Sequence, residues 1–269
     1  MTTALGRLSP PRRRMWLALM ALVLLAVALP VGRAVLARDT APTAVAQDAP
    51  GPVLLIPGYG GSNASLEQLA DSLRAAGRSV GVVEPVGDGT GDLREQAEGL
   101  ADAVRGTLRS SGASSVDLVG YSAGGVVMRL FLTELDGAAV TRRAVSLGSP
   151  HHGTDLAALA SGVAGDLCPE ACLQLDPDSD LLLELNRGDE TPDGPQWVSI
   201  WTEDDQTVVP PTSGSLDGAL DYAVQDVCPD AVVSHGDLPR STVTISMVKA
   251  ALGVRAPRVP GGSVCGVSQ

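Results

Sequence analysis

The chain has 269 residues, only 3% of them aromatic, and a formal net charge of -12. That length suits one α/β domain with a substantial core, built here on Val, Leu and Ala. Six arginines and one acid, Asp39, fall within residues 1–46, so the remainder carries 13 basic and 30 acidic residues, a net of -17; such a surface disfavours nucleic acid and anionic membranes as partners.

Arg12-Arg13-Arg14 precede an uncharged apolar run from Met15 to Val31, broken by Pro30. A positive region followed by an apolar one reads as a secretory signal. Small-x-small cleavage candidates follow at Val35-Leu36-Ala37 and Ala44-Val45-Ala46. Residues 1–37 are therefore expected to be a signal peptide, or an N-terminal anchor attaching the protein to the membrane through residues 15–31. Either way the domain lies outside the cytoplasm, secreted or on the outer face of the membrane. The Pro- and Ala-rich residues 38–52 read as a linker, and residues 53–269 as the folded domain.

Within that domain Val53-Leu54-Leu55-Ile56 is the first strand, ended by Pro57-Gly58-Tyr59-Gly60-Gly61. Ser65 and Gln68 have the spacing of a capping box ahead of a helix carrying Leu66, Leu69, Ala70 and Leu73, with Gly77 as its C-cap. Val80–Val83 is a second strand. Leu93, Ala97, Leu100, Val104 and Leu108 predict an amphipathic helix over Asp92–Arg109. The apolar strand Val116–Val119 follows, then Gly120-Tyr121-Ser122-Ala123-Gly124, then a buried helix through Val126–Leu132 and a strand at Ala144–Leu147. Residues 148–195 blur into Gly, Asp and Pro, with one helix capped near Ser179. Val198–Trp201 and Tyr222–Val224 restore strands, and Ser241–Leu252 closes the domain as a helix. Alternating helices and continuously apolar strands predict a mostly parallel sheet covered on both faces, with at most a small cap.

Gly-x-Ser-x-Gly between a strand and a helix is the nucleophile elbow, in which a tight turn pushes the serine oxygen out at the end of the sheet. A serine needs a base, and the base an orienting carboxylate, on later strands in the order Ser, acid, His. Of three histidines, His235 lies in the loop between the last strand and last helix, where the base belongs. Glu203, Asp204 and Asp205 directly follow a strand and supply the candidate acids. The oxyanion donors would be the N–H of Ala123, next after the serine, and the N–H of Tyr59 in the glycine-rich first loop. That loop lacks the Lys-Ser/Thr of a phosphate loop and the spacing of a dinucleotide fingerprint.

Asp176-Pro177-Asp178-Ser179-Asp180 alternates acids as a calcium loop does, but without its glycine and terminal glutamate, and reads as helix capping. His151-His152 has no carboxylate at metal-site spacing and reads as hydrogen-bonded support of the site. The four cysteines allow three pairings. Cys168–Cys172 with Cys228–Cys265 closes the loops most simply.

Taken together, Leu55–Gly61, Gly120–Gly125, Leu147–Thr154, Leu175–Asn186, Asp205–Pro210, Val224–Cys228 and Ser234–Gly236 resemble the secreted bacterial class 2 lipases, triacylglycerol-lipase-type α/β-hydrolases. The resemblance covers about residues 50–252. It implies the α/β-hydrolase fold, Ser122 as nucleophile, His235 as base, and Asp205 ahead of Asp204 as the acid. It likewise implies Tyr59 and Ala123 as oxyanion donors, a lipid or small ester as substrate, no metal or organic cofactor, and a monomer. Many relatives have His-Gly where this chain has Pro57-Gly58, which removes a donor from that loop. An envelope acyltransferase with the same triad is the alternative, and a non-catalytic surface-binding relative a further one.

Overall fold

The computed structural model describes residue 20, residues 45–164 and residues 168–266. The signal or anchor expected over residues 1–37, including the apolar run 15–31, otherwise lies outside the described residues. Among the described residues no helix is long and apolar enough to cross a membrane. Residues 45–52, ahead of the first strand, belong to the same compact unit as the sheet. The last residues of the expected linker dock onto it: the Pro52 carbonyl accepts from the Asp117 amide at 2.9 Å, and the Gln47 carbonyl from Arg142 Nη1 at 3.2 Å.

Six strands form one sheet: β1 (Val53–Ile56), β2 (Val80–Val82), β3 (Val116–Tyr121), β4 (Thr141–Leu147), β5 (Gln196–Trp201) and β6 (Leu220–Ala223), in the order β2-β1-β3-β4-β5-β6. Every pair is parallel. Side chains alternate between faces along each strand. Leu54, Ile56, Leu118 and Ala144 thus join one core, and Val53, Leu55, Val119, Val145 and Ile200 the other. The first core is closed by α2 (Leu93–Ser111) and α3 (Ala123–Glu134), the second by α1 (Glu67–Ala75) and α8 (Thr242–Ala251). Since all five pairs are parallel, the strands point the same way and their carboxyl ends share one edge of the sheet, each crossover being made by the segment between strands.

Three local expectations are corrected. There is no capping box at Ser65: the chain makes a 3-10 turn over Asn63–Ser65, α1 starts at Glu67, and Gln68 Nε2 instead donates to the Arg240 carbonyl at 2.7 Å. Among the described residues, 148–195 hold three helices rather than one: α4 (Asp155–Ala164), α5 (Glu170–Gln174) and α6 (Asp180–Leu185), the last being the expected helix capped at Ser179. Val224 leaves the sheet and opens the one-turn helix α7 (Val224–Val227). α1 closes on Ala76 as its C-cap and the expected Gly77 stands one residue further, where a φ of +83° lets the Arg78 amide reach the Leu73 carbonyl, while the Gly77 amide reaches that of Arg74. Disulfides join Cys168 to Cys172 and Cys228 to Cys265.

Candidate active site

The elbow between β3 and α3 is built by steric exclusion. Ser122 sits at φ 53°, ψ −130°, a conformation that side chains disfavour and that is kept only where the surroundings impose it. A Cβ on Gly120 would lie 2.6 Å from the Gly124 carbonyl oxygen, and one on Gly124 would lie 2.4 Å from that of Ile56. The Ser122 amide donates to the Leu147 carbonyl at 2.9 Å, which fixes the turn against β4.

The structure brings the three residues expected on separate loops into one chain of hydrogen bonds. His235 Nε2 lies 3.0 Å from Ser122 Oγ, and Asp205 Oδ2 lies 2.7 Å from His235 Nδ1. A carboxylate only accepts, so Nδ1 carries a proton, and in the neutral ring Nε2 is left to accept from the serine hydroxyl. The other Asp205 oxygen accepts from the amides of Thr207 and Val208 at 2.9 and 2.8 Å. Asp205 and His235 are both buried.

Asp204 points elsewhere. Its Oδ2 accepts from the Val233 amide and from Gln225 Nε2, each at 3.0 Å. Thr202 Oγ1 donates to the Val233 carbonyl at 2.7 Å, so both polar groups of Val233 are clamped two residues before His235. Sequence reading assigned Thr202 and Gln225 no part in this bracing. A second unassigned contributor is Gly148 (φ +52°): a Cβ there would sit 2.4 Å from Leu238 Cδ1 and within 3.4 Å of both Asp205 Oδ2 and His235 Nδ1. Only glycine allows that loop to lie against the Asp–His pair.

On the other side of the serine a Cβ on Gly58 would fall 2.9 Å from Ser122 Cβ, so the first loop runs directly beside Ser122. The Tyr59 amide makes no backbone hydrogen bond among the described residues, and Ala123, as first residue of α3, has no intrahelical acceptor for its own. A cleft of about 220 Å³ opens beside Ser122, walled mainly by Tyr59, Ala157, Cys172, Leu175 and Val208. Tyr121 packs on the far side, its ring 5.2 Å from that of His235 and its hydroxyl donating to the His235 carbonyl at 3.2 Å. Burial, aided by the Asp205 carboxylate, pushes this phenol up to about 12, so it remains a donor.

His151 and His152 point apart. His152 Nε2 meets Glu190 Oε1 at 2.9 Å near the surface. His151 is fully buried and lies 3.0 Å from Ser146 Oγ, which donates to Ser199 Oγ, which donates to the Gly214 carbonyl. With each hydroxyl proton spent on the next acceptor, His151 must donate through Nε2. Burial first, then the charges of Arg129 and His152, hold its pKa well below the usual value, so the ring is neutral. In the acidic stretch Ser179 Oγ caps Leu182 N at 3.3 Å, while Asp176 accepts from the Asp178 amide and the Ser161 hydroxyl.

The parallel sheet with its elbow after β3 defines the α/β-hydrolase fold. Residues 52–178, just under half of the chain, match the family model of palmitoyl protein thioesterase. No curated protein matches the chain significantly. Among solved structures, Aspergillus fumigatus lipase B is similar with 19% identity and a TM-score of 0.69, over 82% of this chain and 57% of its own. This chain therefore spans little more than half of that lipase's length. The mature form of Bacillus licheniformis lipase BlEst2 gives 17% identity and a TM-score of 0.64, over 76% of this chain and 93% of its own. The lin2722 gene product of Listeria innocua gives 19% and 0.54, over 80% and 97%. At these identities the likeness is one of fold.

Proposed function

We propose that the protein is an exported serine hydrolase of carboxylic esters, of the lipase and esterase type. The observation that carries this reading is the hydrogen-bonded chain Ser122–His235–Asp205 at the wall of an apolar cleft. His235 takes the proton of Ser122 as its oxygen attacks the ester carbonyl, then passes it to the departing alcohol. Asp205 holds the ring and stabilises the imidazolium. The amides of Tyr59 and Ala123 receive the oxyanion, and the acyl group lies in the cleft until water releases it. Two disulfides support an oxidising destination outside the cytoplasm. The substrate is a lipid or small ester, taken by a monomer.

The match to palmitoyl protein thioesterase favours a second substrate for the same machinery, a long-chain acyl thioester. Hydrolysis of p-nitrophenyl esters from acetate to palmitate, set beside palmitoyl thioesters, separates the two. Ser122→Ala is expected to lower turnover of the preferred substrate by about 10⁴-fold or more with an unchanged circular dichroism spectrum. Turnover retained in that variant would overturn the assignment.

A further inference from the structure

The loop after β2 alternates glycine, acid and hydroxyl as Gly87-Asp88-Gly89-Thr90-Gly91. It lies against the glycine-rich loop that carries Tyr59. The Gly60 amide donates to the Gly89 carbonyl at 3.2 Å. Gly89 is itself buried, at φ +76°, and a Cβ on it would stand 2.7 Å from Gly61 N, 3.0 Å from Gly61 Cα and 3.2 Å from Gly60 C. All three are backbone atoms, so the first loop must shift if the space is filled. Gly60 and Gly61 have positive φ of 75° and 61°, and no strand ladder holds them in place. Asp88 closes the supporting turn, its Oδ1 accepting from the Thr90 amide at 3.0 Å and the Thr90 hydroxyl at 2.6 Å. The Thr90 carbonyl in turn accepts from the Ala171 amide at 3.0 Å, in α5, the helix whose Cys172 walls the cleft.

We infer that Gly89 is a positioning residue for the oxyanion donor. Its backbone fixes Gly60, and thereby aims the Tyr59 amide at the carbonyl oxygen as negative charge develops there. The inference rests on the acyl-transfer reading above. It also accounts for Pro57: proline contributes no amide to the loop, so the loop is held from the side, by Gly89. Displacing an oxyanion donor weakens only the transition state, so the effect belongs in kcat and leaves ground-state binding alone.

The experiment compares steady-state hydrolysis of p-nitrophenyl butyrate by the wild type, Gly89→Ala and Gly87→Ala. Gly87 has φ +62° and no atom within 4 Å of a Cβ placed on it, so its variant carries similar backbone strain without touching the loop. Gly89→Ala is expected to lower kcat about 10- to 100-fold with KM within about twofold. Affinity for a boronic acid that forms a tetrahedral adduct on Ser122 should fall by the same factor, while Gly87→Ala stays within about twofold of the wild type on every measure. Unchanged kcat in Gly89→Ala, or a loss confined to KM, overturns the inference. Should Gly89→Ala fail to fold, Asp88→Ala decides, since it loosens the same turn without adding an atom: a kcat loss of about threefold or more at constant KM supports the role, and an unaltered kcat overturns it. A wild type that neither hydrolyses the ester nor labels at Ser122 with a fluorophosphonate brings down the acyl-transfer reading and this inference together. A wild type that does both beside an unimpaired Gly89→Ala brings down this inference alone.

Discussion

Asp204 and Asp205 are neighbours of identical chemistry held to different tasks by backbone direction alone. Asp205 turns one oxygen to His235 and the other to two amides, and Asp204 turns away to clamp Val233. In Asp205→Asn the side-chain oxygen can keep the Thr207 and Val208 amides, which leaves its NH₂ facing His235 Nδ1. That forces the imidazole tautomer whose Nε2 carries a proton and cannot accept from Ser122. We predict a kcat loss of about 10⁴-fold with little change in stability. Asp204→Ala instead leaves the Val233 amide and Gln225 without their shared acceptor, for a predicted loss of about 1–3 kcal/mol in stability. Ester turnover and urea midpoints of the two variants, measured side by side, check the division, and the reverse pattern would assign the acid to Asp204. Order along the chain made Ser122 and His235 legible, because so few histidines compete. Of the three carboxylates, only a resemblance pointed to Asp205, since side-chain direction is not written in a run of like residues.

At the scale of elements, strands and long helices were legible because their periods are carried by many residues, as in α2. Of the three helices described within residues 148–195 only α6 was, and through its Ser179 cap rather than its period. They span ten, five and six residues, too few turns for an apolar period to rise above glycine, aspartate and proline. What holds them is tertiary. Arg129 on α3 is fully buried and donates to the Leu185 carbonyl and to Asn186 Oδ1, at the C-terminal end of α6, where a cation also meets the helix dipole. Gln174 ends α5 by bonding the Leu93 amide and Asp92. The Cys168–Cys172 disulfide adds a local staple to the element that walls the cleft, whereas Cys228–Cys265 ties a long C-terminal stretch to the second core, at sequence separations of 4 and 37. Loop-closure entropy then predicts a loss of about 2 kcal/mol for the double serine variant at 168 and 172, and about 4 kcal/mol at 228 and 265. The smaller loss should come with the larger functional change. Removing the first pair frees a cleft wall and shifts the preferred acyl length, and removing the second leaves that preference alone. Equilibrium unfolding beside an ester-length profile tests both halves, and an unmoved profile in the first variant would show that the staple does not shape the cleft.

For the molecule as a whole, parallel topology separates stability from chemistry. The carboxyl ends of the strands carry the elbow and the loops of Asp205 and His235, where ligand sites in open α/β sheets lie. The other end of the sheet is held by charge. Asp117, fully buried on β3, receives Arg142 through two bonds of 2.9 and 2.5 Å and Arg78 through one of 2.5 Å. The same guanidinium groups reach the carbonyls of Gly51, Leu252 and Gly253, drawing both ends of the domain onto the sheet. Nothing in the sequence marked Asp117 or Arg142 as interior, because charged residues inside strands read as exposed until a partner from another segment meets them. A buried carboxylate facing two guanidinium groups is not a large net source of stability, yet its removal strands cations in the interior. Asp117→Asn is therefore predicted to destabilise the fold by about 3–5 kcal/mol, read as a lowered urea midpoint. Its kcat per folded molecule at low temperature should stay within about twofold of the wild type, since no hydrogen bond of the triad passes through this pole. Ser122→Ala should do the opposite, keeping the midpoint and losing turnover. If Asp117→Asn lowers kcat as far as it lowers stability, the two poles are coupled through β3 and the separation fails.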